Sequence, residues 1–210
     1  MDDQRFARAI AAIDAVNADD PNHLTVRGGT RAKELVHAEM VSAWVRRLRP
    51  EADELLLLGA RGHHLRRWQS PRSSYPEGRA GYLRWRRDLS ERQAEELGQL
   101  LAREGYADSD VERVRAIVRK RGLGTDPDVQ ALEDAMCLTF LDTQLANLVA
   151  RTGEAQMVGI LRKTMAMMSP AALALASSLE LDADGRRLLA EAADAPATGA
   201  PSRPAPGGRG

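Results

Sequence analysis

The sequence predicts an all-α protein, a single irregular helical bundle. Three observations lead there. Apolar residues recur at helical spacing along most of the chain, as in FARAIAAIDAVNA and ELVHAEMVSAWV. Helix start signals stand at intervals, and no stretch reads convincingly as a strand. Aromatics make up only 4% of the residues, so the core must rest on Leu, Val, Ala and Met.

The elements follow in order. FARAIAAIDAVNA forms a short amphipathic helix that ends before DDPN, and PNHLTVRGGT is a loop. Thr30 is placed to cap the helix RAKELVHAEMVSAWVRRLR, which stops at Pro50. Glu51 to about Trp68 makes a third helix with an apolar centre at Leu55–Leu58, and QSPRSSYPEG, with Pro71, Pro76 and Gly78, makes a loop. GRAGYLRWRRDL begins the next helix. Ser90 opens a capping box before ERQAEELGQLLAREG, and Ser109 with Glu112 opens a second. Asp126-Pro127 combines an N-cap residue with proline at the first helical position, so a helix runs from there through DVQALEDAMCLTFLDTQLANLVAR. GEAQMVGILRKTMAMM ends at Ser169-Pro170, and two shorter helices follow. The domain is expected over residues 1–193. Residues 194–210, rich in Ala, Pro and Gly, cannot bury a core and are expected to be disordered.

Composition narrows the function. Lys+Arg and Asp+Glu both number 30, so the overall charge points to neither nucleic acid nor membrane. Of the basic residues only Lys33, Lys120 and Lys163 are lysines. With one cysteine, Cys137, there is no internal disulfide and no cysteine zinc site. No signal peptide is read at the N-terminus and the run LLLLGA is too short to span a bilayer, so a cytoplasmic location is expected. No P-loop occurs, and RGLGTD lacks the glycines of a dinucleotide loop.

Polar residues on apolar faces are the sharper signal. His37 shares a helical face with Val41, Trp44 and Leu48, and Glu39 with Leu35, Ser42 and Arg46. His64 shares one with Leu57, Ala60 and Trp68. Asp134 shares one with Leu138, Leu141 and Leu145, and Glu133 lies beside it with Met136, Cys137 and Phe140. A buried carboxylate needs a cation, because an unpaired buried charge is very costly. Three helices each carrying a histidine or an acid inward is how a bundle builds a metal or acid–base site.

Residues 61–87 hold eight arginines against one acid, Glu77, and four of the chain's eight aromatics, Trp68, Tyr75, Tyr82 and Trp85. Guanidinium forks bind phosphate or carboxylate in pairs of bonds, and aromatic faces stack on bases or on guanidinium. Arg61, Arg66, Arg84 and Arg87 are read as solvated. Arg67, three residues after His64, and Arg72 and Arg79 around the following loop are candidates to hold an anion, with Tyr75, Tyr82 and Lys120 as further candidate substrate contacts.

The run HHLRRWQSPRSSYPEGRAGYLRWR, with IDAVNADDPN, AEMVSAW and KRGLGTDPDVQALEDAMCLTFLDTQLANL, resembles a bacterial and fungal family catalogued as a domain of unknown function, number four-two-zero-two, sometimes labelled glutamyl-tRNA synthetase-like. The likeness covers most of residues 6–180. The chain has no nucleotide-binding glycine loop after a strand, so the synthetase label finds no support. More distantly, the order of polar residues is similar to HD-domain metal phosphohydrolases. That likeness implies His37 or Glu39 as the first ligand, His63-His64 in place of the His-Asp doublet, and Asp134 as the late aspartate. The doublet lacks its aspartate, so either Glu39 or Glu133 supplies the missing carboxylate or the site no longer binds metal.

The expected function is therefore a metal-dependent hydrolase of HD-like type, acting on a phosphorylated or nucleotide-like anionic small molecule. His64, Asp134 and either Glu39 or His37 would hold Mn, Fe, Zn or Ni, with Glu133 as general base and Arg67, Arg72, Arg79 and Lys120 on the anion. Two other readings stand beside it: an HD-like iron-dependent oxygenase, and a metal-free module that binds an anionic small molecule or RNA through residues 61–87.

Overall fold

The structure, a computed structural model, describes residues 3–26 and 29–194. The tail beyond Asp194 lies outside the described residues. Among those described, ten helices surround one small hairpin, an all-α architecture.

Helix α1 (Asp3–Ala18) buries Ala9 and Ile13, with Phe6, Ile10 and Val16 at helical spacing on the same side. The next stretch is not a loop. Strands β1 (His23–Val26) and β2 (Gly29–Ala32) pair antiparallel, with Thr25 opposite Thr30 and their hydroxyls 3.0 Å apart. Thr30 therefore lies in a strand and does not cap α2 (Lys33–Leu48). Asp20 serves instead: its Oδ2 accepts the Glu34 N–H at 3.0 Å, and its Oδ1 accepts from Asn22 N and Nδ2 at 2.9 and 2.8 Å.

Helix α3 (Glu54–Gly62) is capped by Asp53, whose Oδ1 accepts from Leu56 N at 2.8 Å. It ends six residues before Trp68. Arg66 takes a left-handed conformation (φ 48°), which helix cannot accommodate, and two short 3-10 turns follow at Arg67–Gln69 and Arg72–Ser74. Gly62 packs so closely on α4 (Gly78–Arg103) that a Cβ there would meet Leu97 Cδ1 at 2.5 Å, and Leu97 is fully buried.

Helix α4 runs unbroken for 26 residues. Ser90 lies inside it rather than at a cap, donating to Val118 O at 3.4 Å, because no proline interrupts the helix and the buried stripe Trp85, Leu89, Leu97 and Leu101 continues past it. The second box is not made either. Helix α5 (Asp108–Val118) starts before Ser109, with Asp108 and Asp110 in its first turn, and Glu112 pairs forward with Arg115 at 2.5 Å. Asp126 does cap α6 (Pro127–Thr143), its Oδ1 accepting from Asp128 N and Val129 N at 3.0 and 3.3 Å. That helix breaks at Gln144 before α7 (Leu145–Thr152). The chain closes with α8 (Glu154–Met165), α9 (Pro170–Ala176) and α10 (Ala183–Asp194).

Three apolar clusters result. One joins α1, α3, α4 and α5 around Ile13, Leu58, Leu97 and Val114. A second joins α2, α3, α5 and α6 around Val45, Leu56, Ile117 and Leu132. The third lies in the C-terminal helices around Leu141, Met157, Leu161 and Leu188. Helix α2 packs on α1, α3 and α6, and its polar residues Glu34, His37 and Ser42 are buried. Among the described residues no helix is long and apolar enough to cross a membrane.

Candidate metal centre

A belt of buried polar residues lies beside the first cluster: Asn17 in the last turn of α1, Asp20 just after it, Glu34 and His37 on α2, and His63 at the end of α3. Each side chain is held from behind. Asp20 fixes the backbone of Glu34, as described above. Asn17 Nδ2 reaches Arg61 O at 3.3 Å, just before the histidine pair. His63 Nδ1 bonds Ala60 O at 2.8 Å, and its ring lies against that of His64 with centroids 4.0 Å apart.

Three groups converge in front of this support. His64 Nδ1 lies 3.0 Å from Glu34 Oε2, and His37 Nδ1 lies 3.6 Å from the same oxygen. Glu34 and His37 sit one helical turn apart on α2, so both point the same way. The donor atoms of Glu34, His37 and His64 all lie within 4.8 Å of one another. His37 Nε2 is buried without a hydrogen-bond partner among the described residues. A divalent ion sits about 2.0–2.2 Å from nitrogen and oxygen donors, which places donors at most about 4.4 Å apart, so this group fits one ion after a small closure.

The protonation states suit that role. Burial opposes the Glu34 charge, but the adjoining His64 and His37 outweigh it and hold the carboxyl well below the usual range. Burial, with Arg67 nearby, lowers His64 to about 4 against the pull of Glu34. Burial likewise holds His63 well below its ordinary value. At neutral pH His64 is therefore a neutral imidazole and Glu34 an ionised carboxylate, the forms that ligate a metal.

The other expected ligands are engaged elsewhere. Glu39 takes two bonds of 2.8 Å from Arg31 and lies 3.7 Å from Arg61, a third exposed, because its position on α2 faces the hairpin side. Asp134 Oδ1 accepts Gln130 Nε2 at 2.9 Å and Ser169 N at 2.8 Å, tying α6 to the start of α9. Glu133, expected as a base, forms a buried ion pair with Lys120. Lys120, expected on substrate, is thereby occupied, although its φ of 58° is one that a side chain rarely adopts. Cys137 lies against this pair. Burial and the Glu133 carboxylate push its thiol up to about 12, so it stays protonated.

The expected anion contacts divide in the same way. Arg72 donates to Tyr75 O at 2.9 Å and Pro76 O at 2.8 Å, holding its own loop, with Tyr75 half-buried there. Arg79 is exposed. Arg67 stacks on Trp85, its Cζ 5.2 Å from the ring centroid. Tyr82 is 42% exposed and accepts from Arg86 Nη1 at 3.2 Å. Glu34 is the ligand the face analysis misses. His37 was compared with residues that follow it, whereas the partner stands three residues before, in E-L-V-H.

An all-helical protein with a buried carboxylate and two imidazoles gathered on one oxygen is the class that fold and site define. The chain belongs to the family described as domain of unknown function (DUF4202), whose profile matches residues 7–189. No curated protein and no solved structure matches it.

Proposed function

We propose that the protein is a metal-dependent hydrolase of an anionic, phosphorylated or nucleotide-like small molecule, with Glu34, His37 and His64 as the metal ligands. The observation that carries this reading is the convergence of those three donors, with His37 Nε2 buried and unpartnered among the described residues. A divalent ion supplies a nucleophile by lowering the pKa of bound water toward neutrality and polarises a phosphoryl oxygen. The chain's own residues prepare for this. Asp20 fixes Glu34, His63 braces His64, and Arg67 brings a cation beside the ligands.

A second reading, an iron-dependent oxygenase, is favoured by the donor set itself: two imidazoles and one carboxylate leave several positions open, the pattern of non-haem iron sites.

Elemental analysis of the purified protein, beside Glu34→Gln and His64→Ala, tests both. About one metal per chain, lost in both variants with the helical spectrum intact, supports the proposal. Iron with oxygen uptake selects the second reading. A protein that takes up no metal even after reconstitution removes both.

A further inference from the structure

Half of the eight arginines of residues 61–87 are paired with carboxylates within the fold. Arg61 is bound by Asp14 at 2.5 and 2.7 Å, Arg66 by Glu96 at 3.3 Å, and Arg84 and Arg87 by Asp88 at 3.7 and 3.0 Å. Arg72 is spent on backbone carbonyls. Among the described residues Arg67, Arg79 and Arg86 have no carboxylate partner, and Arg79 stands apart on the exposed start of α4.

Arg67 and Arg86 belong to one array. Arg67 Cζ lies 5.2 Å over the Trp85 ring, Trp85 meets Tyr82 with centroids 5.9 Å apart, and Arg86 Cζ lies 6.0 Å over Tyr82. The array is anchored from below, since Trp85 Nε1 donates to Ser70 O at 2.9 Å and the Trp85 ring is buried. Its outer members, Tyr82 and Arg86, are open to solvent. A guanidinium held by an aromatic face leaves its donors free for an anion, and Arg67 makes no side-chain hydrogen bond to any described residue. Its position is set by the left-handed turn at Arg66, a conformation kept only where surroundings enforce it. Arg92 Nη2 does so, donating to Arg66 O at 3.0 Å.

We infer that the Arg67–Trp85–Tyr82–Arg86 ledge is an oxyanion-binding site, at the margin of the metal centre, for the anionic group of the substrate. Its place in catalysis rests on the metal reading; its existence does not. Burial lowers Arg67, Glu34 works against that shift, and Arg86 works with it, so the two cations lie near each other and Glu34 lies near Arg67. A divalent ion on Glu34 would claim that carboxylate. Arg67 would then lose its nearby counter-charge, and with Arg86 beside it the pair favours a ligand group carrying more than one negative charge. Phosphoryl and clustered carboxylate oxygens share the required geometry.

Calorimetric titration of the chelator-treated full chain with inorganic pyrophosphate, and separately with citrate, tests the site at low salt. Binding of either supports it, and the preferred anion identifies which oxygens the forks were shaped for. Arg86→Ala, at an exposed position, and Arg67→Lys, which keeps the charge but loses the fork, should each weaken binding about tenfold, the loss expected for one charge-assisted pair. Arg84→Ala, on the outer face of the same helix, should leave it unchanged. Three results would overturn the inference: no binding of either anion, equal weakening by Arg84→Ala and Arg86→Ala, or tight binding of an RNA oligonucleotide with neither small anion bound. Because metal is absent throughout, a protein that binds anion but never metal would sink the hydrolase reading and leave the ledge standing.

Discussion

Two helices carry acids on apolar faces, and the acids meet opposite fates. On α6, Glu133 finds Lys120, and Asp134 finds Gln130 and the Ser169 backbone. On α2, Glu34 finds two imidazoles, of which His64 is neutral at physiological pH and His37 has a nitrogen with no hydrogen-bond partner among the described residues. Both sites are buried to a similar degree. What separates them is completeness. A buried polar group whose partners lie within the fold is structure, whereas one whose partners do not suffice is prepared for something from outside.

Mutations on the two helices should therefore act on different observables. The largest stability loss is expected at Lys120→Gly. Glycine relieves the left-handed backbone by about 1 kcal/mol, but an uncompensated buried charge costs about 3–5 kcal/mol, so the net loss is about 2–4 kcal/mol by denaturant unfolding, with metal content unchanged. Stabilisation by that variant would show that the ion pair contributes nothing. Next comes Asp134→Ala, which strands the Ser169 N–H and should cost about 1–3 kcal/mol, again without loss of metal. Metal loss there would return Asp134 to the ligand set.

His37→Leu should reverse the pattern. It removes an unsatisfied nitrogen along with a contact to Glu34, so stability should stay within about 1 kcal/mol of the parent while metal uptake fails. Asp20→Ala acts one step further back. Loss of a group that orients a ligand typically weakens metal affinity about 10–100-fold, read by competition with a chelator. Unchanged affinity would make Asp20 a helix cap and nothing more.

The smallest effect is at Asp126, a solvent-screened acid. The Arg113 guanidinium, at 2.5 Å, together with the N-cap bonds, lowers its carboxyl to about 2 in the folded chain from 3.8. A depressed folded value contributes stability above pH 3.8, and that contribution disappears as pH falls to about 2. The melting-temperature gap between the parent and Asp126→Asn should be steady from pH 7 to 5 and close toward pH 2. A gap that persists at pH 2 would assign the effect to capping geometry rather than charge.

Much of this was legible beforehand because helices announce themselves locally. The Asp126-Pro127 start and the inward faces of α2 and α6 follow from periodicity and cap chemistry alone. The hairpin does not, since two four-residue strands with exposed alternate residues leave no pattern longer than a turn. Ser90 failed as a boundary because the same box motif costs nothing inside a helix whose apolar stripe continues past it. The site was legible in residue type but not in membership. His37 and His64 share it, yet whether Glu39, Asp134 or Glu34 joins them depends on rotation about α2 and on which cations α6 meets, and those are tertiary facts.

Gly62 joins these threads. It carries no functional group, but α3 approaches α4 at that point closely enough that Leu97 fills the space a methyl group would need. The histidine pair begins at the very next residue. Any side chain at 62 would lever the end of α3 outward and draw His63 and His64 away from Glu34. A variant at this position would register in an assay as a defect of chemistry, in a residue that performs none.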